Sequence, residues 1–254
     1  MPHRSGKGNA VYILPNLLTT CCLFSGFYSI VQSINGNFFN AAVAILIAAV
    51  FDGLDGRVAR LTGTTSRFGM EYDSLSDLVA FGVAPGLLAY LWVLQPYGRY
   101  GWLAAFLYVA TTALRLARFN THAAESSAGG PQKAFQGLPC PAAAMMIATS
   151  LLFVQFLDLD KTFMDITMLL TVYFLSYLMV SSHLYNSFKH ISRAKTFQVL
   201  VGMVLLLMVV ATEPQITLFV LAGTYVLSGP LLGIYRVLFK HEHVEKEKKV
   251  AEKV

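Results

Sequence analysis

The sequence predicts an all-α protein, a polytopic membrane bundle of about eight transmembrane helices. Three observations carry that prediction. Hydrophobic residues make up 56% of the 254 residues and charged residues only 13%, roughly half the charged share of a soluble domain. The apolar residues gather into eight runs, at 13–34, 39–60, 75–95, 99–119, 138–158, 164–185, 196–212 and 216–238. Each is long enough, or nearly so, for a hydrocarbon core that takes about 20 helical residues. The basic residues are then distributed lopsidedly about those runs. With eight spans, all of the 19 Lys and Arg except Arg99 and Lys161 fall on the side that holds both termini. The positive-inside rule makes that side the cytoplasm. The same bias accounts for the net charge of +5 by attraction to anionic lipid heads, so no nucleic-acid partner is needed.

The elements follow in order. The opening "MPHRSGKGN" is polar and basic and does not read as a cleavable leader. The first run holds Cys21 and Cys22, and Cys140 opens the fifth. Three cysteines at these places make neither a disulfide framework nor a zinc site and read as small packing residues. The second run ends in "FDGLDGRVAR" and the third begins "GMEYDSLSDLVAFGVAPG". Pro85 should interrupt the helical ladder of the third run and free a carbonyl. Gly82 and Gly86 are spaced for a tight helix–helix contact, as are Gly229 and Gly233. The connectors are short, and neither a soluble domain nor an internal repeat is visible. The closing "KHEHVEKEKKVAEKV" has no apolar stripe and is expected to fray as a charged tail.

The acidic residues at the second turnaround pose the functional question. Asp52 lies about 20 Å into the second run at 1.5 Å per residue, close to the edge of a core about 30 Å thick. Asp73 and Asp77 reach the same level on the returning helix. Asp52 and Asp55 are three apart, and Asp73 and Asp77 four apart, so each pair shares a helix face. Gly56, Ala59 and Gly69 leave room beside those faces. An ionised Asp at mid-bilayer costs about 2.5–3.5 kcal/mol, and four together repel. Arg57 and Arg60 are candidate counter-charges, but divalent cations compensate better. Oxygen-only ligands suit Mg²⁺ or Mn²⁺, and four carboxylates suffice for two ions. Clustering alone leaves three readings open: a metal-dependent enzyme, a cation-coupled transporter, and acidic decoration of span ends. The lack of an inverted repeat counts against the transporter.

The spacing goes further. Asp52, Asp55, Gly56, Ala59, Arg60, Gly69, Asp73 and Asp77 form D-x2-D-G-x2-A-R-x8-G-x3-D-x3-D. This resembles, without departure, the signature of the CDP-alcohol phosphatidyltransferases. "LPNLLTTCCLFSG" in the first run resembles that family's usual opening. The resemblance implies a six-helix catalytic core within 1–190, two added helices in 191–240 and the tail 241–254. It implies two divalent cations, Mg²⁺ or Mn²⁺, held by Asp52, Asp55, Asp73 and Asp77, with Asp77 also the general base. Gly56, Ala59 and Gly69 would line the cytidine pocket, and Arg60 would meet the diphosphate of a CDP-linked lipid. It also implies a homodimer in the cytoplasmic (inner) membrane, with the site facing the cytoplasm.

The acceptor alcohol is read downstream. "ALRLARFN" ends the fourth run, and "PQKAFQGLPCPAAA" leads into the fifth. Both resemble the integral-membrane phosphatidylserine synthases, which implies CDP-diacylglycerol and L-serine as substrates. Serine carries a carboxylate that Arg118 and Lys133 are suited to bind, with Asn120 and Gln136 as polar partners. Those cations equally serve topology, and glycerol-3-phosphate or inositol stays open as the acceptor.

Overall fold

A computed structural model describes residues 8–63, 66–127, 137–158, 161–181 and 212–251. Among the described residues the protein is all helix, with no strand. We number the helices α1 (Gly8–Ile34), α2 (Phe38–Thr62), α3 (Arg67–Tyr97), α4 (Arg99–Ser127), α5 (Cys140–Leu157), α6 (Lys161–Val180) and α7 (Pro214–Ala251).

Five stretches are long and apolar enough to cross a membrane: Leu14–Ile34, Phe38–Thr62, Arg67–Tyr97, Cys140–Leu157 and Pro214–Gly233. The eight expected spans are therefore met in part. The fourth forms the 29-residue α4, but Thr111, Thr112 and Arg115 interrupt its apolar run. The sixth contributes the shorter apolar stretch Asp165–Val180. Residues 196–211 of the seventh lie outside the described residues. One expectation is corrected. Residues 241–251 do not fray but continue α7 helically to Ala251. Glu and Lys are good helix formers.

The bundle packs through small residues. α1 lies along α2, α2 against α5, α4 against α6 and α5 against α7. Ala41, Ala42, Ala44 and Ala48 on α2 are buried, as are Ala80, Ala84 and Ala89 on α3 and Ala142, Ala143, Ala144 and Ala148 on α5. With hydrocarbon outside as apolar as the core, close backbone approach is what holds such helices together. The outward surface is correspondingly greasy, with Phe24, Phe106, Leu114, Leu170 and Leu231 all exposed. Patches of that extent on a chain of helices fit a lipid surround.

α3 is not a uniform helix. Arg67–Asp77 is α-helical, Leu78–Val83 widens to π, Ala84–Ala89 returns to α, and Tyr90–Leu94 widens again. The first widening precedes Pro85, which has no N–H to give to Phe81 four residues back. The buried Tyr108 hydroxyl donates to that Phe81 carbonyl at 3.1 Å. The freed carbonyl expected from the sequence thus exists, and α4 satisfies it. Gly82 and Gly86 make the expected tight contact within the chain. A Cβ on Gly82 would sit 3.1 Å from Thr112 Cγ2, and one on Gly86 3.2 Å from Val109 Cγ2. Gly26 of α1 is tighter still: a Cβ there would come within 2.6 Å of Ala80 Cα. That crossing locks α1 onto α3 just beyond the carboxylates.

Candidate active site

α2 and α3 run in opposite directions across a short connector, so their acidic turns meet at one level. Gly63 ends α2 in the left-handed conformation (φ 64°), its N–H reaching back to Ala59 O. Ser66 starts α3, its hydroxyl accepting from Gly69 N at 3.0 Å. This cap and stop set how the two faces confront each other.

The ligand oxygens of Asp52, Asp55 and Asp73 lie within 4.8 Å of one another. Asp77, one turn beyond Asp73, stands close enough to Asp52, Asp73 and Asp55 to feel the charge of all three. Its Oδ1 is buried without a hydrogen-bond partner. Arg60, a candidate counter-charge, is exposed and donates its Nε to Gly56 O at 2.8 Å. Arg57 is exposed too.

These observations test whether a divalent cation fits. Opposite ligands of an octahedral Mg²⁺, at about 2.1 Å each, stand about 4.2 Å apart. A spread of up to 4.8 Å closes on an ion by small side-chain movements. The donor set is oxygen only, as hard cations require. An orphaned buried carboxylate oxygen amid like charges has a strong reason to acquire a positive partner. The residues fit.

The small residues of the motif differ in their surroundings. A Cβ on Gly56 would meet nothing within 4 Å, so open space borders the cluster there. Ala59 is half-buried. A Cβ on Gly69 would press to 3.2 Å from the capping Ser66 Oγ, so Gly69 also serves the start of α3.

α1 supplies support that the sequence reading missed. Thr19 Oγ1 donates to Asp55 Oδ2 at 2.8 Å. Ser76 Oγ donates to Thr19 O at 3.0 Å, and the Thr20 and Tyr72 hydroxyls meet at 3.0 Å. One polar turn of α1 therefore ties down both carboxylate helices. The available signal was the Thr19–Thr20 pair, alone between apolar neighbours in "NLLTTCCLF".

The residues assigned to serine divide. Lys133 and Gln136 lie outside the described residues. Arg118 is exposed near the end of α4. The Asn120 amide is engaged on both sides, donating to Glu71 Oε2 at 3.1 Å and accepting from Ser74 Oγ at 3.1 Å. It ties α4 to the outer face of α3. Arg115, read as a topology charge, is half-buried and donates to Met179 O at 3.3 Å.

Comparison with known proteins agrees with this site. The family model described as CDP-alcohol phosphatidyltransferase matches residues 12–175, which include every carboxylate of the cluster. The CDP-diacylglycerol–serine O-phosphatidyltransferase of Helicobacter pylori (strain ATCC 700392 / 26695) is 39% identical over 236 residues, covering 91% of this chain and 93% of that protein. The archaetidylserine synthase of Methanothermobacter thermautotrophicus is 39% identical over 171 residues, 66% of this chain and 67% of its own. A Saccharomyces cerevisiae protein of the same name as the Helicobacter one is 40% identical over 134 residues, about half of each chain. With the clustered aspartates inside the matched region and the match spanning more than half its length, this chain belongs to the CDP-alcohol phosphatidyltransferase family.

Proposed function

We infer that this protein is an integral-membrane phospholipid synthase that transfers the phosphatidyl group of CDP-diacylglycerol to the hydroxyl of L-serine, releasing phosphatidylserine and CMP. The observation that carries the reading is the convergence of Asp52, Asp55 and Asp73 within 4.8 Å, with Asp77 beside them, in a chain 39% identical to a serine O-phosphatidyltransferase over nearly its whole length.

Asp52, Asp55 and Asp73 are the residues that would hold two divalent cations, Mg²⁺ or Mn²⁺, with Asp77 beside the second. When bound, such a pair neutralises the bridging phosphates and stabilises charge on the attacking and leaving oxygens. Thr19 holds Asp55 in one orientation. Gly56, Ala59 and Gly69 leave the space for cytidine, and Arg60 stands at its edge for the diphosphate. Asp77 takes the proton of the serine hydroxyl as its oxygen bonds to the β-phosphorus and the bond from that phosphorus to CMP breaks. Asp77 Oδ1 has no hydrogen-bond partner in the protein, which leaves that acceptor free for the proton. Serine's carboxylate would meet Arg118 and Lys133, with Asn120 and Gln136 nearby. The distribution of Lys and Arg supports a site on the cytoplasmic side of the inner membrane, and the family resemblance supports a homodimer.

The test is CMP release by the purified full-length chain in detergent. CDP-diacylglycerol and Mn²⁺ or Mg²⁺ are supplied with serine, glycerol-3-phosphate, inositol or no acceptor. Release stimulated by serine alone and abolished by EDTA is the expected outcome. Stimulation by another acceptor would keep the metal site and replace serine; no release from folded protein would overturn the reading.

A further inference from the structure

We propose that Asn120 is a positioning residue for the metal ligand Asp73, acting through Glu71 and Ser74, so that α4 sets the rotation at which the first turns of α3 present their carboxylates. The proposal rests on the reading above that those carboxylates hold divalent cations.

Little apolar packing holds Arg67–Asp77 in place. Of its 11 residues only Ser76 is buried, and Phe68, Met70 and Leu75 are exposed. The deeper part of α3 is well packed, with Ala80, Phe81, Ala84 and Leu88 buried. Leu78–Val83 widens to π directly after Asp77, which interrupts the regular ladder between the two parts. Towards α4 a gap of about 240 Å³ remains, walled by Leu75, Leu78, Ala113 and Leu116. Asn120 bridges its polar end, donating to Glu71 Oε2 and accepting from Ser74 Oγ, each at 3.1 Å.

The bonds fall on both sides of the carboxylate face. At about 100° per residue, Glu71 and Ser74 lie roughly 110° to one side of the Asp73–Asp77 face, and Tyr72 and Ser76 roughly 100° to the other. α1 takes the second pair, through the Thr20 hydroxyl and Thr19 O; α4 takes the first through Asn120. Braces on opposite sides fix rotation about the helix axis, where one alone lets the segment swing. A carboxylate oxygen about 6 Å from that axis moves about 1 Å for a rotation of about 10°. Metal-binding constellations need their ligands held within about 0.5 Å. The α4 brace therefore decides whether Asp73 reaches an ion shared with Asp52 and Asp55. The braced residues flank Asp73, and none of these bonds spends its oxygens.

The experiment measures Mn²⁺ binding to the full-length chain in detergent, by loss of the EPR signal of the free ion, without substrate. Asn120→Ala and Glu71→Ala are each expected to weaken binding ~10-fold. The double variant should bind no more weakly than Asn120→Ala, because both changes act through one bridge. Glu71→Gln keeps an acceptor for the Asn120 amide while dropping the charge, and is expected to bind like the parent. In turnover, excess Mn²⁺ should restore kcat in Asn120→Ala while KM for serine stays unmoved. Unchanged Mn²⁺ affinity in both alanine variants, whatever their unfolding temperature, would overturn the proposal and leave the bridge purely structural. So would Glu71→Gln falling as far as Glu71→Ala, which makes charge the cause, or a raised KM for serine at unchanged Mn²⁺ affinity, which moves Asn120 to the substrate. If Asn120→Ala does not fold, Glu71→Ala, at an exposed position, carries the test. If the parent chain binds no Mn²⁺, the metal reading above fails and takes the brace with it. If the parent binds and the variants match it, the brace alone falls.

Discussion

The α2–α3 carboxylate cluster and the α3–α4 seam lie a few turns apart on the same helix and treat polar atoms in opposite ways. At the seam every break is repaired. Pro85 frees a carbonyl and Tyr108 caps it; Gly82 and Gly86 open a gap and Thr112 and Val109 fill it. At the cluster the repair is partial, with Thr19 donating to Asp55. Asp77 Oδ1 stays orphaned and Gly56 faces open space. The seam can thus be read as architecture, complete in itself, whereas the cluster is complete only with something from outside. A polar atom buried at a cost and left unpaired marks the difference more surely than burial or charge alone.

The largest effect that sharpens this contrast is at Asp77. Asp77→Asn should lower turnover by about 10²–10⁴-fold while thermal unfolding in detergent shows no loss of stability. A variant that also unfolds early would make Asp77 architectural and erase the distinction. Next is metal. Mn²⁺ or Mg²⁺ at 100 times its dissociation constant should stabilise the chain by about 2.7 kcal/mol. Asp52→Asn and Asp73→Asn should lose most of that gain. An unchanged metal titration in both would remove them as ligands. Thr19→Val tests the support beneath the cluster, with metal affinity expected to fall about 10–100-fold and the metal-free unfolding temperature little changed.

The smaller effects belong to the seam. Tyr108→Phe removes the buried hydroxyl that donates to the Phe81 carbonyl and should cost about 0.5–1.5 kcal/mol of stability, with the metal titration untouched. A loss of metal affinity there would show that the two regions are one unit. Asn120→Ala removes a bridge to Glu71 and Ser74 and should cost about 0.5–1.5 kcal/mol. A rise in KM for serine well beyond that of the donor would instead give Asn120 a role toward substrate.

Much of this was legible in the chain. Apolar run lengths gave the helices because a bilayer imposes a length and forbids unpaired backbone. The i, i+3 and i, i+4 spacings of Asp52, Asp55, Asp73 and Asp77 put each pair on one face because an α-helix has one period. Pro85 announced a free carbonyl because proline has no N–H to give. Those are local rules, and sequence order suffices for them. The partner for that carbonyl lies 27 residues away on α4, and the hydroxyl that holds Asp55 lies 36 residues away on α1. The partners of Asn120, Glu71 and Ser74, lie 49 and 46 residues away on α3. No periodicity encodes which distant side chain arrives at a given atom. That is settled by how whole helices pack, and here by the crossings that Gly26 and Gly82 permit, because only close approach brings such polar side chains within hydrogen-bond reach of one another.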